Sequence, residues 1–277
     1  MVEQKKIIEQ DVPQEGLLMK LQRTHWPGAT IIPLLFAVTL TWGQSESQAT
    51  KKPYQPNGSE GYVTGTVSLI GTPPRATRID MSADPACYEH NPNPRTKFFV
   101  VEDGRLADAL IYVKAGIALN GLSFETPDTN VVLDQRGCFY VPRVLGVQVN
   151  QILEVRNSDN TVQNVHPRPR NNPEWNRSQA PSSEPLMTRF THAEVVIPFK
   201  DNQHPWKMAY VGVFAHPFFA VSNRKGEFTI AGLPPGDYTI AAWHEQFGEK
   251  TFEVTVYPRS TQSLDIKFDM ADRKVWR

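Results

Sequence analysis

The chain has 277 residues, with 29 basic and 29 acidic side chains and 10% aromatic residues. Such a balance gives no sign of a nucleic-acid surface or a polyacidic partner. Proline is abundant at 23 residues, long helical periodicity is scarce, and short apolar runs recur between Gly, Pro and Asn. That is the pattern of an all-β protein of one large or two small domains.

Residues 29–43 (ATIIPLLFAVTLTWG) are apolar for long enough to form the core of a signal peptide. They fall short of the about 20 residues that a membrane span needs. Cleavage is expected between Gly43 and Ala49. Met19, with Lys20 and Arg23 after it, gives a normal basic start to such a segment. An uncleaved N-terminal anchor is the alternative. Residues 1–49 are thus expected as signal peptide or anchor and 50–59 as a linker, in a periplasmic or otherwise extracytoplasmic protein. Export favours pairing the two cysteines, Cys87 and Cys138, as a disulfide, with two buried thiols as the alternative. A bridge closing a loop of about 50 residues contributes roughly 4 kcal/mol on the chain-entropy model.

In chain order, residues 61–70 alternate and predict a strand that ends at Gly71-Thr72-Pro73-Pro74. Residues 98–102 and 109–114 predict strands, with Asp103-Gly104 as a hairpin turn. Strands are expected at 130–133, 147–156 and 193–199. Residues 167–185 carry Pro, Asn, Ser and Arg without periodicity, and a loop of that length either binds or caps something or is mobile. An apolar strand follows at 208–214 and ends at His216-Pro217. Further strands are expected at 219–222, 227–230, 237–243, 251–256 and 263–268, with turns at 223–226 and at Gly232-Leu-Pro-Pro-Gly236.

Isolated polar residues offer little chemistry. Trp243-His244-Glu245 lacks the second His of a zinc-peptidase helix and reads as a sheet edge with hydrogen-bonding side chains. His90, His192 and His216 read as surface or turn histidines. The chain has no nucleophile elbow, phosphate loop, dinucleotide glycine set or CxxC motif.

A series of short motifs carries a specific resemblance. These are Gly61-x-Val-x-Gly65 with Gly71-Thr-Pro-Pro, Asp80-Met-Ser-Ala-Asp-Pro-x-Cys87, Leu133-Asp-Gln-x-Gly-Cys138-x-Tyr-x-Pro142 and Asn157-Ser-Asp. Asn164-Val-His166, His204-Pro-Trp206, His216-Pro-x-Phe219-Ala-Val, Gly232-Leu-Pro-Pro-Gly-x-Tyr238 and Trp243-His-Glu245 continue the series. In this order and spacing they resemble exported bacterial cupredoxin-like proteins of plastocyanin type that also carry carboxypeptidase regulatory-like (transthyretin-like) strands. The resemblance implies a cupredoxin-like Greek-key β-sandwich over 60–215. It also implies regulatory-like strands over 216–272, possible completion of these by 60–120 being part of the same expectation. In that interleaved layout the cupredoxin-like part narrows to residues near 125–215.

A type 1 copper site takes two imidazoles, a thiolate and a weak axial thioether. The family's His-Asn-Val-His and Cys-x-x-His-Pro-Trp-Met map its ligands onto Gln163, Asp201, His204 and Lys207, and Pro142-Arg143-Val144 stands where the family has Pro-His-Val. Of the four ligands only His204 remains. Asp201 and Lys207 introduce an acid and a base at two former ligand positions and are expected to form an ion pair that cross-links the loops. His166, Asp201 and His204 offer an alternative set for another divalent metal; the competing reading has His166 capping a loop, Asp201 in a turn and His204 packed beside Trp206. The resemblance therefore implies a non-enzymatic binding or structural subunit with a degenerate copper site and no required cofactor. Its partner is expected to be another envelope protein or a membrane complex, docked at His204, Pro205 and Trp206. The alternatives are a metal-binding or electron-transfer protein with atypical ligands, and a carbohydrate- or peptide-binding accessory module.

Overall fold

The computed structural model describes residues 51–274. The targeting segment expected over 1–49 lies outside the described residues. Within them no helix is long and apolar enough to cross a membrane.

The expected all-β class holds, and the strands build two sandwiches. In the first, one sheet has the order Leu186–Thr188, Leu153–Asn157, Val131–Arg136, Phe139–Val141. The other has the order Arg177–Gln179, Gln163–Pro167, Glu194–Lys200, Met208–Phe214, Val144–Gln148. Successive side chains of a strand point to opposite faces. The inward ones include Leu133, Val147, Leu153, Val155, Val165, Phe199, Val211 and Val213, which share one buried core. Leu153–Asn157 runs parallel to Val131–Arg136, and Met208–Phe214 runs parallel to Val144–Gln148. Parallel neighbours cannot be joined by tight hairpins, so the chain crosses over between the paired strands.

The second sandwich places Phe219–Val221, Leu110–Gly116, Gly236–His244 and Gly248–Val256 in one sheet. Glu227–Leu233, Gly61–Ile70, Arg105–Leu106 and Val101–Glu102 form the other. Gly61–Ile70 draws its partners from Glu227–Leu233 and Ile266–Asp269, late in the chain. Val63, Val67, Ile111, Val113, Phe228, Ile240 and Phe268 accordingly share a core. A boundary of 60–215 for the first sandwich is thus too wide. Residues 131–214 make it, and residues 61–116 pack with 218–268.

The sandwiches meet over Leu110, Tyr112, Val144, Phe214 and Ala241. A Cβ on Gly146 would lie 2.4 Å from the Phe219 ring, so the ring can rest on this strand only because the position is glycine. Beside that contact, Arg143 donates from Nε and Nη2 to the Glu245 carboxylate at 2.6 and 2.7 Å. This bidentate pair is buried and joins the first sandwich to the second.

Local structure departs from the sequence expectations at several places. Residues 147–156 are two strands separated by a turn in which Asn150 has φ 66° and the Gln151 side chain accepts from the Gln148 amide at 2.9 Å. Pro85–His90 is a short helix, capped by Asp84, whose carboxylate accepts from the Ala86 and Cys87 amides. Residues 167–185 contain the strand Arg177–Gln179, and their start is pinned by Glu194, which accepts from the Arg170 and Asn171 amides at 2.6 and 2.9 Å. The expected linker is also tied down: Lys52–Pro53 pairs with Leu122–Ser123, and Tyr54 donates to Glu60 at 3.0 Å.

Candidate functional site

The positions onto which the family resemblance maps the copper ligands converge at one end of the first sandwich. Gln163 opens the strand Gln163–Pro167, and residues 201–207 connect Glu194–Lys200 to Met208–Phe214. Gln163 is 0% exposed, Asp201 3%, His204 4% and Lys207 0%. A buried ammonium is strongly unfavourable unless its protons are satisfied. Lys207 Nζ donates to Gln163 Oε1 at 2.5 Å, to Gln135 Oε1 at 2.6 Å and to Asp201 Oδ2 at 3.0 Å. It also lies 4.5 Å from the centroid of the Tyr140 ring, a cation–π distance.

Asp201 organises the loop. Its Oδ1 accepts from the amides of Gln203 and His204 at 2.8 and 2.9 Å. Its Oδ2 accepts from the Asn164 amide at 3.0 Å and faces His204 Nδ1 at 3.1 Å. Burial opposes the negative charge, but His204 and Lys207 hold the carboxyl well below the usual carboxylate range. Burial acts on Lys207 more strongly than Asp201 does and brings its ammonium down to about 8. For His204, burial disfavours the imidazolium, yet Asp201 and Asp84 outweigh it and raise the pKa.

A second ring of groups supports these four. Gln163 Nε2 donates to Asp159 at 2.9 Å and lies 3.4 Å from Cys138 Sγ. Asp159 accepts from the Gly137 and Cys138 amides at 2.6 and 2.9 Å. His204 Nε2 faces Asp84 Oδ2 at 3.1 Å, and Thr161 donates to the same oxygen at 2.9 Å. Cys87 and Cys138 are joined as a disulfide, the pairing expected from the sequence. Although distant in sequence from residues 163–207, the bridge sits against the cluster. Among the described residues no buried polar side-chain atom lacks a partner.

Gln135, Asp159, Asp84 and the bridge itself escaped the sequence reading as parts of this site. They come from other strands and loops, and no local spacing ties them to residues 201–207. Only Asp84-Pro85 carried a legible signal, an N-cap followed by proline at the first helical position.

Other expectations require correction. His166 does not join Asp201 and His204: its ring nitrogens meet Asn202 at 3.0 Å and Glu174 at 2.7 Å. The sequence-derived metal set is therefore not assembled. His204, Pro205 and Trp206 are not a continuous docking surface. His204 is buried, and Trp206 is part-buried and donates to the Cys138 carbonyl at 3.0 Å. Trp243-His244-Glu245 ends an inner strand rather than a sheet edge. There His244 is buried among Phe99, Phe247 and Phe268. Burial pushes its imidazole down to about 3.

The donor set does not suit a type 1 copper ion. One imidazole is present, no thiolate is present, and an ammonium stands among the four positions.

Residues 200–269 match the carboxypeptidase regulatory-like domain family. The match begins ahead of the 201–207 loop and runs through most of the later strands of the second sandwich. No curated protein matches the chain significantly. Among solved structures, a reduced tryptophan-to-tyrosine mutant of amicyanin is similar at 22% identity and TM-score 0.28, over 38% of this chain and 98% of that one. A purple cupredoxin from Nitrosopumilus maritimus is similar at 19% identity and TM-score 0.26, over 31% of this chain and 99% of that one. A copper-containing nitrite reductase from Thermus scotoductus SA-01 is similar at 16% identity and TM-score 0.29, over 31% of this chain. The chain spans 22% of that reductase.

Proposed function

We propose that this is a non-enzymatic, exported, cupredoxin-like protein in which a lysine-centred ion cluster stands where the copper site once was. It acts as a binding or structural subunit at the bacterial envelope, on another envelope protein or a membrane complex. The observation that carries this reading is Lys207: its ammonium is unexposed and donates to Asp201, to Gln163 and to Gln135. Two of those acceptors and the lysine itself occupy ligand positions of the family it resembles. An Nζ bound to three acceptors holds the strands together as a metal would, without a redox couple. The apolar segment 29–43 and the disulfide support export.

Metal analysis and the visible spectrum of the purified, air-oxidised full chain test this reading. It predicts no stoichiometric metal and no thiolate–copper band. One equivalent of copper with an intense visible band would establish the rival, an electron-transfer protein with atypical ligands. Co-fractionation with membranes tests the subunit role, and a free soluble monomer after gentle lysis counts against it.

A further inference from the structure

The Cys87–Cys138 bridge lies against two other metal-binding groups. Donor atoms of Asp84, Cys87 and His204 all fall within 4.8 Å of one another, the one such cluster of three or more among the described residues. Cys138 Sγ, bonded to Cys87 Sγ, adjoins this group without belonging to it. A tetrahedral ion with bonds of about 2.0–2.3 Å needs donors about 3.3–3.8 Å apart. Asp84 Oδ2 and His204 Nε2 are already 3.1 Å apart. While the sulfurs are bonded to each other they offer no thiolate, and a thiolate is the form that binds metal.

We propose that reducing this disulfide creates a metal site, with Cys87 Sγ, Cys138 Sγ, His204 Nε2 and Asp84 as ligands, for a thiolate-seeking cation of the Zn²⁺ or Cu⁺ type. The reductant is a dithiol. Two electrons pass to the bridge, the reductant leaves as its own disulfide, and each sulfur takes a proton. On binding the ion, the two thiols and the imidazolium give up their protons.

The surroundings are arranged for this exchange. His204 Nδ1 faces Asp201 Oδ2 at 3.1 Å, which leaves Nε2 as the ligand nitrogen. Metal-bound histidines are held in this way by a carboxylate on the other nitrogen. Asp84 is fixed by Thr161 at 2.9 Å and by the amides of Ala86 and Cys87 at 3.0 and 3.1 Å. The ion would replace the proton shared between His204 and Asp84. Both sulfurs are buried, so a reductant enters only when the covering segment opens. Ile79 and Met81, which pack on the bridge, lie in residues 71–96, where one six-residue helix and one isolated bridge, Arg78 to Arg95, are the only regular structure, and such sparsely bonded segments open most readily. The cross-link would then exist in two forms, covalent when oxidised and metal-mediated when reduced.

The test uses the full chain, reduced anaerobically with a phosphine that is then removed, and titrated with Co²⁺ as a spectroscopic stand-in for Zn²⁺. The expected result is one equivalent bound, with a thiolate-to-cobalt charge-transfer band and the visible bands of tetrahedral cobalt, both lost on adding Zn²⁺. The oxidised chain should give neither. Cys138→Ser should reduce the charge-transfer band by about half, and His204→Gln should weaken Co²⁺ at least tenfold. Near-ultraviolet circular dichroism shows whether the reduced chain is folded; if it is loosened, Zn²⁺ should restore the native signal. A reduced chain that binds less than one equivalent, or that binds without the thiolate band, overturns the site whether or not it stays folded. An unchanged affinity in His204→Gln overturns it too, by revealing thiol-only binding. None of these failures touches the reading of the oxidised chain, which is tested without reductant.

Discussion

At the scale of the residue, Lys207 and Asp201 form a buried ion pair whose charges depend on each other. Removing one partner of such a pair leaves the other uncompensated and typically costs about 3–5 kcal/mol. Asp201→Asn and Lys207→Met should each lower stability to urea by that order. The double variant should lose clearly less than the sum, and an additive result would show that the two residues are not coupled. The pH dependence has a definite sign. Asp201 titrates lower in the folded chain than in the unfolded one, so its contribution is present above about pH 4. It is lost as the pH falls through the unfolded value toward the folded one. Lys207 is brought down to about 8 from its ordinary 10.5. Between those values the unfolded chain binds the extra proton, so this group makes stability rise with pH across that window. Lys207→Met should flatten the rise, and a stability profile identical to that of the parent across that window would contradict it.

At the scale of the element, the disulfide anchors residues 71–96, whose other side-chain hydrogen bonds to the sandwiches link Asp84 to Thr161 and His204 and Asn91 to Gly137. Replacing both cysteines with alanine should cost roughly 4 kcal/mol on the loop-entropy model. Amide exchange in the double-alanine chain should quicken across residues 71–96 while Val131–Arg136 and Met208–Phe214 stay protected. Uniform loosening would show that the bridge supports the whole first sandwich. Gly61–Ile70 and Met208–Phe214 were legible from end to end because apolar alternation and an unbroken apolar run mark them directly. Gln163–Pro167 was not legible as a strand. Its buried positions include Gln163 and Asn164, which are satisfied by Lys207 and by residues of the Arg177–Gln179 strand. A hydrophobic pattern cannot register a five-residue strand in which Val165 is the one member of the apolar core. Pro85–His90 is too short to show any helical period, so only its cap could mark it.

At the scale of the whole molecule, the two sandwiches are joined by an apolar seam and by Arg143 on Glu245. Arg143→Met should cost about 3–5 kcal/mol and split thermal unfolding into two transitions; a single unshifted transition would show that the apolar seam alone couples the sandwiches. The interleaved layout was only partly legible, since sequence order does not reveal that residues 61–116 pair with late strands. The four positions of the site were legible through the family resemblance, whereas Gln135, Asp159 and Asp84 reach it through the fold. We propose that Gln163, Asp201, His204 and Lys207 occupy the ligand positions of a former copper centre. The triple variant Gln163→His, Asp201→Cys, Lys207→Met, with His204 kept, tests it most directly by copper titration followed in the visible spectrum. One equivalent of copper and an intense thiolate–copper band absent from the parent chain are the expected result. A folded triple variant that binds no copper, or binds it without that band, would contradict it.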